Sequence, residues 1–296
     1  MTIIQLSEKR KKWVDANREN GFDDGIKKLL TDLYPDNAHF IYELLQNAED
    51  AGATQVTFIL NEDNIEFEHN GNRLFSLADV DSITSIGVST KKDDPTSIGK
   101  FGVGFKAVFA YTNTPEIQSG EYHFRIRDLV IPEMITPIIP SLGEKRTRFI
   151  FPFDNPKKSI ENARLEIERN LRQLDENTLL FLSNIEKIEY LLPDSTMGCL
   201  RRGNNKDYRT EIIVQPPGTT EEMSFFFLRF EKMVHVHDDE GSDKSCKIAV
   251  AFSVAENRQQ HSEESDNQKA KKNAPRWGIK PLKSGRVFIY FPAEKE

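Results

Sequence analysis

The sequence predicts an α/β (α+β) fold followed by a β-rich second region. Three observations predict this class: amphipathic helical segments near the N-terminus, alternating apolar strands from residue 55 onward, and successive strand signals after about Ile185. We place the first domain at residues 1–175, with an N-terminal helical extension, and the β-rich region at 176–296.

Each element of the first domain rests on a local signal. A turn and N-cap at Pro35 to Asn37 precede an apolar helical period, and Ser76 with Asp79 predicts a capping box. The polar stretch 87–97 has the composition of a lid. In chain order the predicted elements are two helices within 7–34 that break near Asn20, a helix at 38–51, strands at 55–60 and 64–70, a helix from 76 to 83, a helix at 105–112, strands at 122–128 and 146–153, and helices at 159–174 and 176–184.

The β-rich region carries strand signals at "KIEYLLP", "TEIIVQ", "MSFFFLRFEKMVHVH", "KIAVAFSV" and "RVFIYFP". A polar, charged insert around 255–285 is predicted to be a mobile loop. Because the sequence stops directly after a strong strand signal, we expect this region to be incomplete and C-terminal domains of a longer chain to be its partners.

Composition narrows the functional classes. The chain has 296 residues and a formal net charge of −7, which does not support a general nucleic-acid-binding surface but leaves a local basic patch open. No apolar run approaches the roughly 20 residues of a membrane span. Cys199 and Cys246 stand apart without metal-ligand spacing. These features predict a cytoplasmic protein without a membrane partner.

A polar stripe runs along the predicted helix 38–51. Glu43, Asn47, Asp50 and Ala51 share one face, at i, i+4, i+7 and i+8. The apolar face that would pack on a sheet holds Ile41, Leu44, Leu45 and Ala48. A solvated outer face is one interpretation, but Asn and Asp are poor helix-interior residues. A carboxylate one turn from an amide oxygen can hold a water while the amide ligates Mg²⁺, which is a workable pair for phosphate hydrolysis provided that a triphosphate lies along the helix.

Two further motifs fit that chemistry. "GKFGVGF" places Gly99, Gly102 and Gly104 before a predicted helix, where backbone N–H groups can approach phosphates. It lacks the context of a Rossmann fingerprint or a Walker A loop. At a strand end, His69-Asn70-Gly71 can read the edge of a base or simply form a turn.

In this order, the motifs resemble the GHKL ATPase superfamily, especially its heat-shock-chaperone-like branch and sacsin-type N-terminal ATPase modules. "ELLQNAEDA" is similar to the N-box, "IGKFGVGFKAVF" is similar to the glycine box, and "HNG" takes the place of the D-x-G box. Thr147 occupies the position of a strand threonine near the nucleotide. The resemblance covers roughly residues 22–155.

The resemblance implies a Bergerat-type two-layer sandwich, a mixed sheet with helices on one face, that binds ATP and Mg²⁺ between the helices and the lid. Glu43 would be the general base, Asn47 the Mg²⁺ ligand, and Asp50 and Ala51 would line the ribose and base end. The remaining nucleotide-binding positions it implies are His69, Gly71, Gly99, Lys100, Phe101, Gly102, Val103, Gly104, Phe105 and Thr147.

Two positions depart from the family pattern, since His69 replaces the base-reading Asp and Arg73 replaces a glycine. A neutral imidazole can accept the adenine amine proton at one nitrogen and donate from the other.

The function implied is a Mg²⁺-dependent ATP-binding module that hydrolyses ATP slowly and drives lid closure in a larger multidomain protein. One alternative is a nucleotide-dependent interaction switch or chaperone-like scaffold with negligible turnover. Another is a DNA-processing ATPase resembling MutL or the MORC proteins. A nucleotide-dependent dimer is a further expected partner.

Overall fold

The computed structural model of the chain has an α/β architecture, in which a large mixed sheet and a few helices pack around a main hydrophobic core, with a smaller buried cluster between α1 (Ile3–Glu19) and β5 (Ile131–Met134). The α/β class is as predicted. The proposed lid at 87–97, the second N-terminal helix and the turn at 35–37 lie outside the described residues. The structure describes residues 1–21, 25, 40–85, 104–135, 146–204, 209–237, 243–257, 276–280, 288–289 and 291–292.

Twelve strands form one continuous sheet. Their bounds are β1 Gln55–Leu60, β2 Asn64–His69, β3 Glu116–Ser119, β4 Tyr122–Arg127, β5 Ile131–Met134, β6 Thr147–Pro152, β7 Lys187–Leu191, β8 Met197–Arg202, β9 Arg209–Gln215, β10 Met223–His237, β11 Asp243–Asn257 and β12 Arg276–Ile279. Their spatial order is β12-β11-β10-β9-β8-β7-β1-β2-β6-β3-β4-β5. Two short strands, β13 (Phe288–Ile289) and β14 (Phe291–Pro292), pair with each other.

The pairing of β1 with β7 is the seam of this sheet. These two strands run parallel, with Val56 opposite Ile188, whereas the other described pairs are antiparallel. Strands β1 to β6 lie on one side of the seam and β7 to β12 on the other. A single sheet therefore runs through both predicted regions.

The helices begin and end at local capping signals. Ser76 accepts a hydrogen bond from the Asp79 N–H and the Asp79 side chain accepts one from the Ser76 N–H, which confirms the predicted capping box. The predicted break near Asn20 is also confirmed, because Gly21 follows in the left-handed region with φ 72°. The bounds are α1 Ile3–Glu19, α2 Phe40–Asp50, α3 Leu77–Ile83, a 3-10 helix Gly104–Ala110, α4 Ile160–Arg172 and α5 Glu176–Leu180.

Among the described residues, no helix combines the length and the apolar character that a membrane crossing requires.

The predicted mobile loop around 255–285 needs a correction. Strand β11 continues to Asn257, and β12 at Arg276–Ile279 pairs with it in antiparallel register. The ring of Trp277 packs 4.8 Å from that of Phe226, and the Arg209 guanidinium stacks 4.2 Å from the Trp277 centroid. Aromatic packing therefore holds β12 on the sheet, while residues 258–275 and 281–285 of the insert lie outside the described residues.

Candidate functional site

Helix α2 positions the polar stripe. Its apolar face is fully buried in the core, as predicted, and Phe40 joins that face. Glu43, Asn47, Asp50 and Ala51 are half-buried. The stripe is thus partly covered by the protein, which argues against a simple solvated outer face.

The Glu43 side chain lies against the 3-10 helix that follows the glycine motif. A Cβ placed on Gly104 would overlap the Glu43 carboxylate, so the carboxylate occupies the space that the missing side chain leaves. Gly104 itself is buried. The structure therefore brings together the predicted base and the last glycine of the motif, which are distant in sequence.

The rest of that motif lies outside the described residues: Gly99, Lys100, Phe101, Gly102 and Val103. Phe105 is described, and its ring packs 6.0 Å from Phe149 and 6.1 Å from Phe151 in the core. Its side chain anchors the 3-10 helix to the sheet, and its contacts are with aromatic rings.

The C-terminal end of α2 meets the end of β2. A Cβ on Gly71 would lie 2.8 Å from the Ala51 carbonyl oxygen and 2.9 Å from His69 Nδ1, so only glycine fits between them. The Arg73 N–H donates to the Ala51 carbonyl oxygen at 3.3 Å. Asn70 is structural, because its Oδ1 accepts from the N–H groups of Thr54 and Gln55 at 2.9 Å.

His69 is buried, with 4% of its surface exposed. The Gly71 N–H donates to its Nδ1 at 3.1 Å. Burial lowers the pKa of His69 from 6.5 to about 4, because the charged imidazolium loses its hydration. The ring is therefore neutral at physiological pH and carries its proton on Nε2. The base-reading role that the resemblance implies for His69 stays a prediction.

Thr147 lies directly opposite His69 across the β2–β6 pair. It is fully buried, and its Oγ1 lies 2.7 Å from Ser119 Oγ on the next strand. Ser119 Oγ also accepts from the Phe75 N–H at 3.0 Å. A short row of polar side chains thus ends an otherwise apolar sheet face, beside Ala51 and Gly71.

These contacts define two ends of one candidate site. The first contains Glu43, Asn47 and Gly104, and the second contains Ala51, His69, Gly71 and Thr147. Ala51 follows Glu43 by eight positions, just beyond the end of α2, which corresponds to about 12 Å along the helix axis.

Glu49 is a buried carboxylate that the sequence analysis did not identify. It is 5% exposed, and its two oxygens accept from the N–H groups of Ser183, Asn184 and Ile185 at 2.7 to 3.0 Å. These residues precede β7 at the seam, so Glu49 fastens α2 to the second half of the sheet. Local sequence offers no signal for it, because the partners lie more than 130 positions away.

Lys106, directly after Gly104 and Phe105, was also not identified. Its ammonium group is buried and donates to the carbonyl oxygens of Ile83 at 2.8 Å and Leu129 at 2.6 Å. Burial, with a smaller contribution from Arg10, lowers the Lys106 pKa from 10.5 to about 7. Despite its place beside the glycine motif, Lys106 binds protein carbonyls and ties the 3-10 helix to α3.

Comparison with known proteins supports part of the resemblance. Residues 20–133 match the family model described as the Sacsin domain. The chain is 38% identical to human sacsin over 114 residues, which are 33% of this chain and 2% of sacsin. It is 31% identical to protein NO VEIN of Arabidopsis thaliana over 260 residues, which are 77% of this chain and 9% of that protein. The chain therefore spans a small fraction of the relatives it matches, and the similarity is to a sacsin-like domain.

Proposed function

We propose that the chain is a Mg²⁺-dependent ATP-binding module of the GHKL type, built on a Bergerat sandwich, that works in the cytoplasm. It hydrolyses ATP slowly and couples hydrolysis to lid closure in a larger multidomain protein. The observation that carries this proposal is the contact of the Glu43 carboxylate with Gly104, one helical turn from Asn47.

The residues at this end of the site fit a magnesium triphosphate. Asn47 supplies an amide oxygen, the kind of hard ligand that Mg²⁺ accepts beside substrate phosphates. Gly104 lets backbone approach closely where a side chain would block it. Asn47 would hold the ion, which would neutralise charge on the phosphates.

Glu43 would orient the attacking water and take its proton. A carboxylate packed against backbone keeps its position, and general bases act within hydrogen-bond reach of the proton they remove. Ala51, Gly71 and Thr147 would line the base end, about 12 Å away along the helix. Proton transfer would thus take place at the Glu43 end of α2, and the base would be held at the Ala51 end.

Calorimetry and steady-state phosphate release on the 296-residue chain test this function. Glu43→Gln should keep Mg·ATP binding and lose turnover by about 10²-fold, the scale of a general base. Glu62→Gln is the matched control, because Glu62 lies in the exposed β1–β2 turn. It should retain both properties.

The outcomes separate the competing functions. If the unchanged chain does not bind Mg·ATP, the proposal is refuted. If it binds ATP but releases no phosphate beyond that of Glu43→Gln, Glu43 has no role in turnover. The module would then act as a nucleotide-dependent interaction switch.

A further inference from the structure

The segment 182–185, which leads into β7, is bound by other parts of the protein on two sides. On the first side, the Glu49 carboxylate accepts from the N–H groups of Ser183, Asn184 and Ile185 at 2.7 to 3.0 Å. The Asn184 Nδ2 group also donates to the Glu49 carbonyl oxygen at 3.1 Å. Successive N–H groups that converge in this way form an anion-binding nest, and here a carboxylate of α2 fills it.

The carbonyl groups of the same segment are bound from the β-rich half of the sheet, strands β7 to β12. Arg202, at the end of β8, donates to the carbonyl oxygens of Leu179 at 2.8 Å and of Leu182. Its Nε also donates to that of Ile185 at 3.2 Å. Arg229, on β10, reaches the Leu182 oxygen with a longer contact of 3.5 Å. The segment therefore lies between a carboxylate on α2 and guanidinium groups on β8 and β10.

The charges on the two sides of the segment depend on each other. Burial and the neighbouring Arg229 lower the pKa of Arg202, and the Glu49 carboxylate counteracts this lowering. Hydrogen bonds in series also polarise the peptide groups between them, so that each bond strengthens the next. Weakening the bonds of Arg202 should therefore weaken those of Glu49.

Glu49 stands between two residues of the candidate site. Asn47 precedes it by two positions and Asp50 follows it directly. Apolar packing of α2 on the sheet is non-directional, whereas the bonds to Glu49 fix the C-terminal end of the helix both along and about its axis. A shift of the segment 182–185 would therefore move Asn47 and Asp50, and a misplacement of about 1 Å can cost an enzyme 10²-fold in rate.

We propose that the β-rich half of the sheet controls the nucleotide affinity of the candidate site through these contacts, with Glu49 as a positioning residue. The inference rests on the proposed function, in which Asn47 holds the magnesium ion. Coupling between two sites is reciprocal. A change that displaces Arg202 therefore weakens nucleotide binding, and nucleotide binding in turn strengthens the bonds of the segment 182–185.

A conservative change far from the nucleotide tests this control. Arg202→Lys keeps the positive charge but loses the fork of donors that serves several carbonyl oxygens. Calorimetry should show Mg·ATP binding weakened by at least about fivefold, the lower range of coupling between sites. Arg201→Lys is the matched control, because Arg201 is adjacent on β8, faces the other side of the sheet and pairs with Glu222. It should bind Mg·ATP like wild type.

The measurement separates control of the site from stability alone. Each protein is studied under conditions in which urea unfolding shows it to be folded, so that a loss of stability by itself leaves the affinity unchanged. Glu49→Gln replaces one acceptor oxygen by a donor. Because both changes act on the same contacts, Glu49→Gln combined with Arg202→Lys should bind no more weakly than the weaker single variant. Losses that multiply, or an unchanged affinity in Arg202→Lys, would overturn the proposal.

Hydrogen exchange of wild-type protein provides a test that does not depend on variant folding. Mg·ATP should slow exchange of the N–H groups of residues 183–185 more than that of Leu192, whose N–H bonds to Thr196 just beyond β7. Equal slowing at both places is what overall stabilisation by a ligand produces, and it would overturn the coupling. Failure of wild type to bind Mg·ATP would refute the proposed function and this inference together, whereas binding without the local effect refutes this inference alone.

Discussion

The carboxylate of Glu43 and the α-carbon of Gly104 occupy adjoining space, with no room for a methyl group between them. The contact joins the middle of α2 to the start of the 3-10 helix. It also explains why a glycine is needed at position 104, where the backbone is neither left-handed nor part of a turn. The requirement comes from the neighbouring side chain.

Replacing that glycine should therefore destabilise the protein through Glu43. Gly104→Ala should lower the free energy of unfolding in urea by about 1–3 kcal/mol, the usual cost of overpacking. In a Glu43→Ala background the same change should cost at least about 1 kcal/mol less. Gly25→Ala is the control, because an added methyl group there meets no described atom within 4 Å. Additive losses would contradict the contact.

The Glu49 carboxylate should contribute strongly to stability. Glu49→Ala leaves three N–H groups before β7 without their acceptor, so we expect a loss of at least about 3 kcal/mol in urea unfolding. Glu62→Ala, in the exposed β1–β2 turn, should change stability by no more than about 0.5 kcal/mol. Similar small losses in both variants would show that water replaces Glu49 at the seam.

The buried, neutral state of His69 predicts a pH dependence of stability. Its folded pKa of about 4 lies below the unfolded value of 6.5, so between these values only the unfolded chain takes up the proton. The stabilisation is fully present above pH 6.5 and is lost as the pH falls toward 4, by about 3 kcal/mol in total.

Comparing wild type with His69→Asn isolates this contribution, because all other groups titrate in both proteins. Urea unfolding at several pH values between 7.5 and 4 measures the free energy of unfolding of both proteins. The value for wild type minus the value for His69→Asn should decrease as the pH falls. A difference that does not change with pH would mean that His69 titrates alike in the folded and unfolded states.

Asn47 should act through the metal. Asn47→Ala should weaken Mg·ATP by about tenfold or more, while the affinity for metal-free ATP changes little, since only a magnesium ligand is removed. Gln46→Ala changes the adjacent residue outside the stripe and serves as the control. Calorimetry with and without Mg²⁺ measures both. Equal losses under the two conditions would exclude Asn47 as the ligand.

Features with local causes could be predicted from the sequence. Strands β1 and β2 follow from alternation around a short turn, and the Ser76 box follows from residues three apart. Strand β8 was not predicted: it contains Gly198, which packs under Tyr190 of the neighbouring strand. Glycine is disfavoured inside strands, but at position 198 the lack of a side chain leaves room for the Tyr190 ring.

The site was predictable to the same extent. The stripe on α2 appears in the helical period of the sequence, and its partial burial in the structure agrees with it. The contact with Gly104 and the tautomer of His69 depend on how backbone from another element meets the side chain. No spacing in the sequence contains that information.

The parallel seam has a consequence for how the protein is made. During synthesis, β1 lacks its parallel partner until β7 has been made, which takes roughly 6 to 25 s at about 5–20 residues per second. Until then the nascent chain carries an unpaired strand edge flanked by Val56 and Phe58, and such edges recruit other chains. A product that terminates before residue 187 would leave this edge open permanently. We expect a chain cut there to aggregate, although it contains every residue of the candidate site.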